Sequence, residues 1–256
     1  MLTQRFNQTS MRKSLLHEMN IGPLWQLRVP TPPGAVSLPE VELAAALAAP
    51  SAAAAVPAAP DVVLPDVGSM SWELLQATTA ACTQCGLCHG RTQTVFGSGD
   101  RHARCLFVGE GPGYHEDLQG QPFVGAAGQL LDNMLRALGV GRDAYIANVV
   151  KCRATDQQGR DRVPDADEVA ACLPYLQRQI ALIQPQVIVA LGKTAAVSLL
   201  GLDAGTPLGQ LRGTVHRYRQ WPVIVTYHPA YLLRKPAVKA EAWADLFLVM
   251  RSLTTA

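Results

Sequence analysis

The chain has 256 residues, 48% of them hydrophobic and 16% charged, with a formal net charge of +2. That composition suffices for one hydrophobic core, or one core plus a tail, and it excludes a histone-like or strongly polybasic binder while leaving room for a local basic groove. No run of about twenty apolar residues is present to cross a bilayer, and the first twenty residues lack the apolar run of a secretory signal. The expectation is a cytoplasmic protein with no membrane association, whose six cysteines serve as thiols or metal ligands rather than disulfides.

In chain order, Ser14–Leu27 carries Leu15, Leu16, Met19, Ile21, Leu24 and Trp25, enough apolar material for a short helix. From Thr31 to Pro65 the sequence is dominated by Ala, Pro and Val, with few large side chains to pack, and reads as a disordered linker. Residues 1–70 are therefore expected to form an N-terminal extension, and residues 71–256 one folded domain. The domain holds 18 basic and 15 acidic residues, so the positive excess sits there.

Within the domain four short apolar runs end in turns or polar clusters: Cys105–Val108, Tyr145–Val150, Val187–Leu191 and Val223–Tyr227. They read as buried strands. Helical patterns fall at Gly128–Leu138, Asp165–Ile183, Thr194–Leu200 and Lys239–Leu253. Strands alternating with helices predict a three-layer α/β/α fold with a central four-stranded, mainly parallel sheet. Ligands of such sheets bind outside the carboxyl ends of the strands, which directs attention to Gly109-Glu110-Gly111-Pro112-Gly113, Lys151-Cys152, Gly192-Lys193-Thr194 and His228-Pro229.

The glycine loop after the first strand invites a dinucleotide reading, but Tyr114 occupies the position of the third glycine of that fingerprint. Gly192-Lys193-Thr194 resembles the end of a phosphate-binding loop, yet the required earlier glycine is Val187, which excludes a nucleotide-hydrolysing P-loop. Cys82-Thr83-Gln84-Cys85-Gly86-Leu87-Cys88 is a tight cysteine group, with Cys152 and Cys172 far downstream; its spacing fits either zinc or an iron-sulfur cluster. Cys105, among apolar residues, reads as a core thiol. Asn148 is an amide among apolar neighbours that needs partners, Phe123 lies in a Pro and Gly loop where it can cap the core or stack on a flat ligand, and His228 follows the last strand where it can project into the crevice.

In this order and spacing, Gly109-Glu110-Gly111-Pro112-Gly113, Pro122-Phe123-Val124-Gly125-Ala126-Ala127-Gly128, Asn148-Val149-Val150-Lys151-Cys152-Arg153 and His228-Pro229-Ala230-Tyr231-Leu232-Leu233 resemble the motifs of the uracil-DNA glycosylase superfamily, and closely those of its iron-sulfur fourth family. The resemblance covers Trp72 to Phe247. It implies a monomeric enzyme that flips uracil out of DNA and hydrolyses its N-glycosidic bond, leaving an abasic site for base excision repair. It maps the ligands of a [4Fe-4S] cluster onto Cys82, Cys85, Cys152 and Cys172, leaving Cys88 as an additional thiol. The branch that becomes trapped covalently on its product carries a basic insertion before its last motif; here Gln220-Trp221-Pro222 runs directly into the strand, so trapping is not expected.

The resemblance also implies roles. Phe123 would stack on the flipped base, Asn148 would read its N3–H and O4, Gly111 would let the backbone approach it, and Glu116 would limit access at its 5-position. His228 would stabilise charge on O2, and Glu110 would orient water or stabilise the sugar cation; better-known relatives carry an aspartate one position later, where this chain has Gly111. Tyr231, Leu232 and Leu233 would wedge into the vacated stack with Arg234 on phosphate, and Arg212, Arg217 and Arg219 would extend that surface. The N-terminal extension lies outside the resemblance; it is expected to be a disordered spacer, with a tether for repair or replication partners as the alternative. The competing readings are a non-catalytic nucleic-acid-binding iron-sulfur module and an iron-sulfur electron carrier.

Overall fold

The computed structural model describes residues 66–254 except 142 and 143. The expected helix at Ser14–Leu27 and the linker at Thr31–Pro65 lie outside the described residues.

Among the described residues one sheet of six strands forms the centre: β1 (Ser98–Gly99), β2 (Cys105–Gly109), β3 (Ala144–Asn148), β4 (Val187–Leu191), β5 (Val215–Tyr218) and β6 (Trp221–Thr226), in the order β1-β3-β2-β4-β6-β5. The four expected runs are the parallel centre, β3-β2-β4-β6. The four-stranded expectation is corrected at the edges, where β1 pairs antiparallel with β3 and β5 antiparallel with β6. Both were hidden for a physical reason. β1 is a Ser-Gly pair, and Val215-His216-Arg217-Tyr218 alternates exposed with half-buried positions, the polar pattern of an edge strand.

The helices are α1 (Trp72–Ala80), α2 (Tyr114–Gln119), α3 (Ala126–Ala137), α4 (Ala166–Ile183), α5 (Lys193–Leu200), α6 (Leu208–Leu211), α7 (Pro229–Arg234) and α8 (Lys239–Thr254). They cover both faces of the sheet, as the three-layer reading requires. The period of two along β2 decides which residue meets which layer. Cys105 and Phe107 pack with Leu131 and Leu135 of α3, Leu232 of α7 and Leu246 of α8. Leu106 and Val108 pack with Trp72 and Leu75 of α1, Leu176 and Ile180 of α4 and Leu199 of α5. Burial on both faces is why the central strands read as continuous apolar runs.

Local signals set the helix ends. Asp165 and Glu168 form a reciprocal capping box at the start of α4, and Arg162 grips the same Glu168 carboxylate from the side. Pro229–Arg234 forms the separate short helix α7 ahead of the last helix. Pro236, at the junction with α8, lacks an N–H and disfavours helical geometry in the residue before it.

One polar group is carried through the core beneath the sheet's carboxyl edge. Lys151 is fully buried, and its Nζ donates to Asn148 O at 2.9 Å and to Gln179 Oε1 at 2.6 Å. Gln179 Nε2 donates onward to Phe96 O at 2.9 Å. Burial pulls the ammonium down to about 8, opposed by the neighbouring Cys172. Replacing Gln179 with Leu leaves a buried ammonium short of an acceptor and a buried carbonyl without its donor. The variant is expected to lose about 2 to 4 kcal/mol of stability in urea unfolding, against a change within about 0.5 kcal/mol for an exposed helical control such as Gln129→Leu.

Candidate active site

From β2 the sheet grows to one side with β3 and then to the other with β4. The crevice of such a sheet opens where the growth direction reverses, at the carboxyl ends of β2 and β4. Glu110 emerges from β2 at this point, and Gly192-Lys193-Thr194 emerges from β4 beside it. The Thr194 hydroxyl donates to Glu110 Oε2. Sequence reasoning placed this second turn at the crevice and excluded a phosphate loop there, but no local pattern shows that Thr194 meets Glu110, because its partner lies 84 positions away.

Asn148 ends β3 and pairs in register with Gly109. Its side chain is buried, and Oδ1 has no hydrogen-bond partner among the described residues. A Cβ at Gly109 would stand 2.4 Å from that oxygen and 2.8 Å from Phe123 Cζ. Only glycine lets the amide and the ring converge over the strand end. Phe123 holds its place at φ +56°, a left-handed conformation uncommon outside glycine. Gly128 lies beneath it, so close that an added Cβ would overlap the Phe123 carbonyl. The Phe123 and His228 rings stack with centroids 5.5 Å apart and planes 27° from parallel.

His228 caps α7: its Nδ1 accepts from Ala230 N at 3.2 Å. Burial lowers its pKa to about 4; the positive charge of Arg234 acts in the same direction, and Glu116 opposes both. The ring is therefore neutral at physiological pH. With Nδ1 accepting, the proton resides on Nε2, so the side chain offers one N–H donor.

Glu116, expected at the pocket's 5-position, holds the pocket loop. Its Oε1 accepts from Val124 N at 3.0 Å and Gly125 N at 3.3 Å, and Gly125 is the N-cap of α3, which has no capping side chain of its own. A carboxylate at that helix start also meets the positive end of the helix dipole. Gly111 packs against Val150, whose Cγ2 lies 2.7 Å from where a Cβ would stand.

The segment expected to meet DNA divides in two. Leu232 is 2% exposed and belongs to the core, so it is no wedge; Leu233, at 42% exposure, projects from the surface beside the exposed Arg234. Tyr231 stacks on Tyr227 at 5.2 Å. Arg212 also departs from expectation. It is clamped by Asp245 at 2.8 Å and Glu241 at 2.6 Å and lies over the Tyr227 ring, a structural tie between the start of β5 and α8. Arg217 and Arg219 remain exposed.

Cys82, Cys85, Cys88, Cys152 and Cys172 line one cavity beneath the sheet edge, while Cys105 is a core thiol on the other face. Among the described residues no three acidic, cysteine or histidine side chains converge tightly enough for a single metal ion. Five thiols facing one cavity are a donor set of the kind that iron-sulfur groups take. Burial raises the pKa of Cys85, of Cys152 and, up to about 12, of Cys172, so these groups stay protonated until a metal displaces the proton. The cavity also supplies donors to sulfur: Arg91 Nη1 lies 3.3 Å from Cys152 Sγ, and Lys151 N lies 3.2 Å from Cys172 Sγ. Arg91 is a site residue that sequence reasoning missed; its position just past the cysteine group was the available signal.

The family model for the uracil DNA glycosylase superfamily matches residues 96–247. A type-4 uracil-DNA glycosylase of Pyrobaculum aerophilum is 42% identical over 184 residues, covering 69% of this chain and 92% of the relative. One from Thermotoga maritima is 44% identical over 171 residues, covering 63% of this chain and 83% of the relative. A type-5 uracil-DNA glycosylase of Pyrobaculum aerophilum is more distant, at 31% over 150 residues, 52% of this chain and 64% of the relative. With the motif residues gathered at one sheet edge and the match spanning more than half of its length, the chain belongs to the uracil-DNA glycosylase superfamily, alongside the type-4 enzymes.

Proposed function

We propose that the protein is a uracil-DNA glycosylase that takes uracil out of DNA into the crevice at the carboxyl ends of β2 and β4, beside the end of β3, and hydrolyses the bond between base and sugar. The observation that carries this reading is the buried, unpartnered Oδ1 of Asn148 facing the strand end beside Phe123. An orphaned acceptor costs about 1 to 3 kcal/mol of desolvation, and uracil N3–H is a donor of the right kind. Phe123 supplies the stacking face, a contact commonly worth about 1 to 3 kcal/mol per base. Leu233 fills the gap left in the stack, and Arg234 meets the backbone.

Cleavage leaves negative charge on the departing uracil and positive charge on the sugar. The neutral His228 donates through Nε2 to O2 of the base, a preorganised donor whose contribution is about 3 to 4 kcal/mol. Glu110 faces the sugar side, where its carboxylate orients the attacking water and offsets the developing cation. Gly111 allows backbone to approach the bound base. Glu116 acts indirectly, by holding Val124 and Gly125 and so the ring of Phe123.

Cys82, Cys85, Cys152 and Cys172 would hold a [4Fe-4S] cluster, which when bound supplies four metal–thiolate bonds tying the end of α1, the loop after β3 and α4 to one point. Hydrolysis of this bond involves no net redox change, so the cluster's place here is structural. Arg91 offsets thiolate charge.

Incubation with a labelled oligonucleotide carrying one uracil, followed by alkali, is expected to give cleavage at uracil and none at matched thymine or cytosine. Binding without cleavage by protein with its iron in place would instead favour the non-catalytic module. His228→Ala is expected to slow single-turnover cleavage about 100- to 1000-fold with little change in affinity for an uncleavable uracil analogue.

The folded pKa of His228 lies below its ordinary 6.5, so the unfolded chain takes up a proton that the folded chain does not. Its contribution to stability is complete above about pH 7 and is lost as pH falls from 6.5 toward 4. Relative to His228→Gln, the wild type should therefore lose up to about 3 kcal/mol across that window, measured by urea unfolding at each pH; a pH-independent difference would contradict a neutral, half-buried imidazole.

Cys152→Ser is expected to lower iron content and the characteristic visible absorption of the protein, and to reduce its melting temperature and DNA affinity together. Loss of iron with stability and affinity retained would show that the cluster does not hold the DNA-facing loops.

A further inference from the structure

The turn Gly192-Lys193-Thr194 touches both proposed catalytic residues, and nothing in the mechanism above uses it. Its amino end is pinned to the strand that delivers His228: Gly192 N donates to Thr226 O at 2.8 Å, two residues before the histidine. Gly192 sits at φ +93°, and a Cβ there would stand 3.1 Å from His228 Cβ and 3.8 Å from its Cδ2. Its other end reaches Glu110 through the Thr194 hydroxyl. Thr194 lies in the first turn of α5, so its side chain is fixed by the helix rather than by a free loop. The Glu110 backbone is held by Val150 N, which donates to its carbonyl at 3.1 Å, so what the Thr194 hydroxyl restrains is the rotation of the Glu110 side chain.

We infer that this turn is the positioning element of the active site, with Thr194 holding the Glu110 carboxylate at a set place relative to His228. The inference rests on the glycosylase reading and on the role given to Glu110. A carboxylate accepts on two oxygens; the Thr194 bond takes one lone pair of Oε2 and leaves Oε1 for water or the sugar. Without the hydroxyl the carboxylate can rotate, and the probability of finding it correctly placed falls while the pocket that binds uracil is untouched. Misplacement of a reacting group by about 1 Å can cost about 100-fold in rate. Thr194 is thus a positioning residue, acting through Glu110.

The test uses the iron-loaded enzyme in single-turnover cleavage of a uracil oligonucleotide, with affinity for an uncleavable uracil analogue measured alongside. Thr194→Val keeps the shape and removes the hydroxyl; it should slow cleavage about 10- to 100-fold with affinity within about twofold. Thr194→Ser restores the donor and should recover most of the rate, and thermal melting of both variants reports whether the fold is intact. The decisive arm is a double-mutant cycle with Glu110→Gln. If Thr194 acts through Glu110, Thr194→Val should cost little more than about twofold when the carboxylate is already gone. Equal losses in the presence and absence of the carboxylate, a serine variant as slow as valine, or a valine variant at the wild-type rate would each overturn the assignment. A wild-type enzyme that binds uracil DNA without cleaving it would overturn the glycosylase reading instead. Full activity in Glu110→Gln beside a slow Thr194→Val would remove both the role of Glu110 and this inference, and leave the glycosylase reading standing.

Discussion

The register between β2 and β3 is the constraint on which the site depends. Gly109 lies opposite Asn148, and the pairing continues past both strands, with Val149 N donating to Gly109 O at 2.9 Å and Val150 N to Glu110 O at 3.1 Å. A slip of one residue would turn Asn148 to the other face and place a side-chain-bearing residue where Phe123 and the Asn148 amide need open space. The same ladder leads directly to the thiol cavity, because Cys152 follows Val150 by two residues. The Asn148 amide, the Glu110 carboxylate and a cavity thiol are therefore spaced by one run of backbone hydrogen bonds.

A second connection runs outside the sheet. Arg91 contacts the Cys152 sulfur and the carbonyls of Ala80 and Cys82. Its neighbour Thr92 donates through its backbone N–H to both oxygens of buried Asp117, at 2.9 and 3.0 Å. Asp117 shares α2 with Glu116, which holds the loop bearing Phe123. The cysteine segment and the stacking ring are thus joined through one short helix by charge-assisted bonds. Cavity and pocket differ in chemistry but share supports, so a change at the thiol cavity can reach the pocket through packing and hydrogen bonds.

The sequence made the parallel centre and the longer helices legible because both rest on burial, and burial writes apolar runs and periodicities into local sequence. Val187–Leu191 is matched residue for residue. Edge strands β1 and β5 were hidden because one consists of two small residues and the other is half solvated. Helices α1 and α2 are short, with their positions decided by tertiary contacts. Motif order located Glu110, Phe123, Asn148 and His228, but motif order carries no information on side-chain direction. It could not separate Leu232, which faces the core, from Leu233, which faces solvent. Nor could it show that Arg212 is spent on Asp245 and Glu241, or that Thr194 reaches Glu110 across the crevice. Those facts depend on contacts between distant residues that no local pattern records.

The electrostatics of the pocket follow from combining burial with incomplete hydrogen bonding. Arg234 and desolvation together keep His228 neutral, and Ala230 N–H fixes which nitrogen accepts. A neutral donor gains strength as O2 becomes anionic, whereas an imidazolium would first have to be desolvated beside a second cation. In the proposed function the Asn148 amide would complete the selection. Its free Oδ1 gains a partner when uracil presents N3–H, but cytosine presents a lone pair at the same atom, so oxygen would face nitrogen with no proton between them. Uracil would thus satisfy an oxygen that no described residue satisfies, and cytosine would set a lone pair against it. In the proposed function, discrimination between the two bases would therefore rest on the Asn148 amide oxygen that the described residues leave unsatisfied.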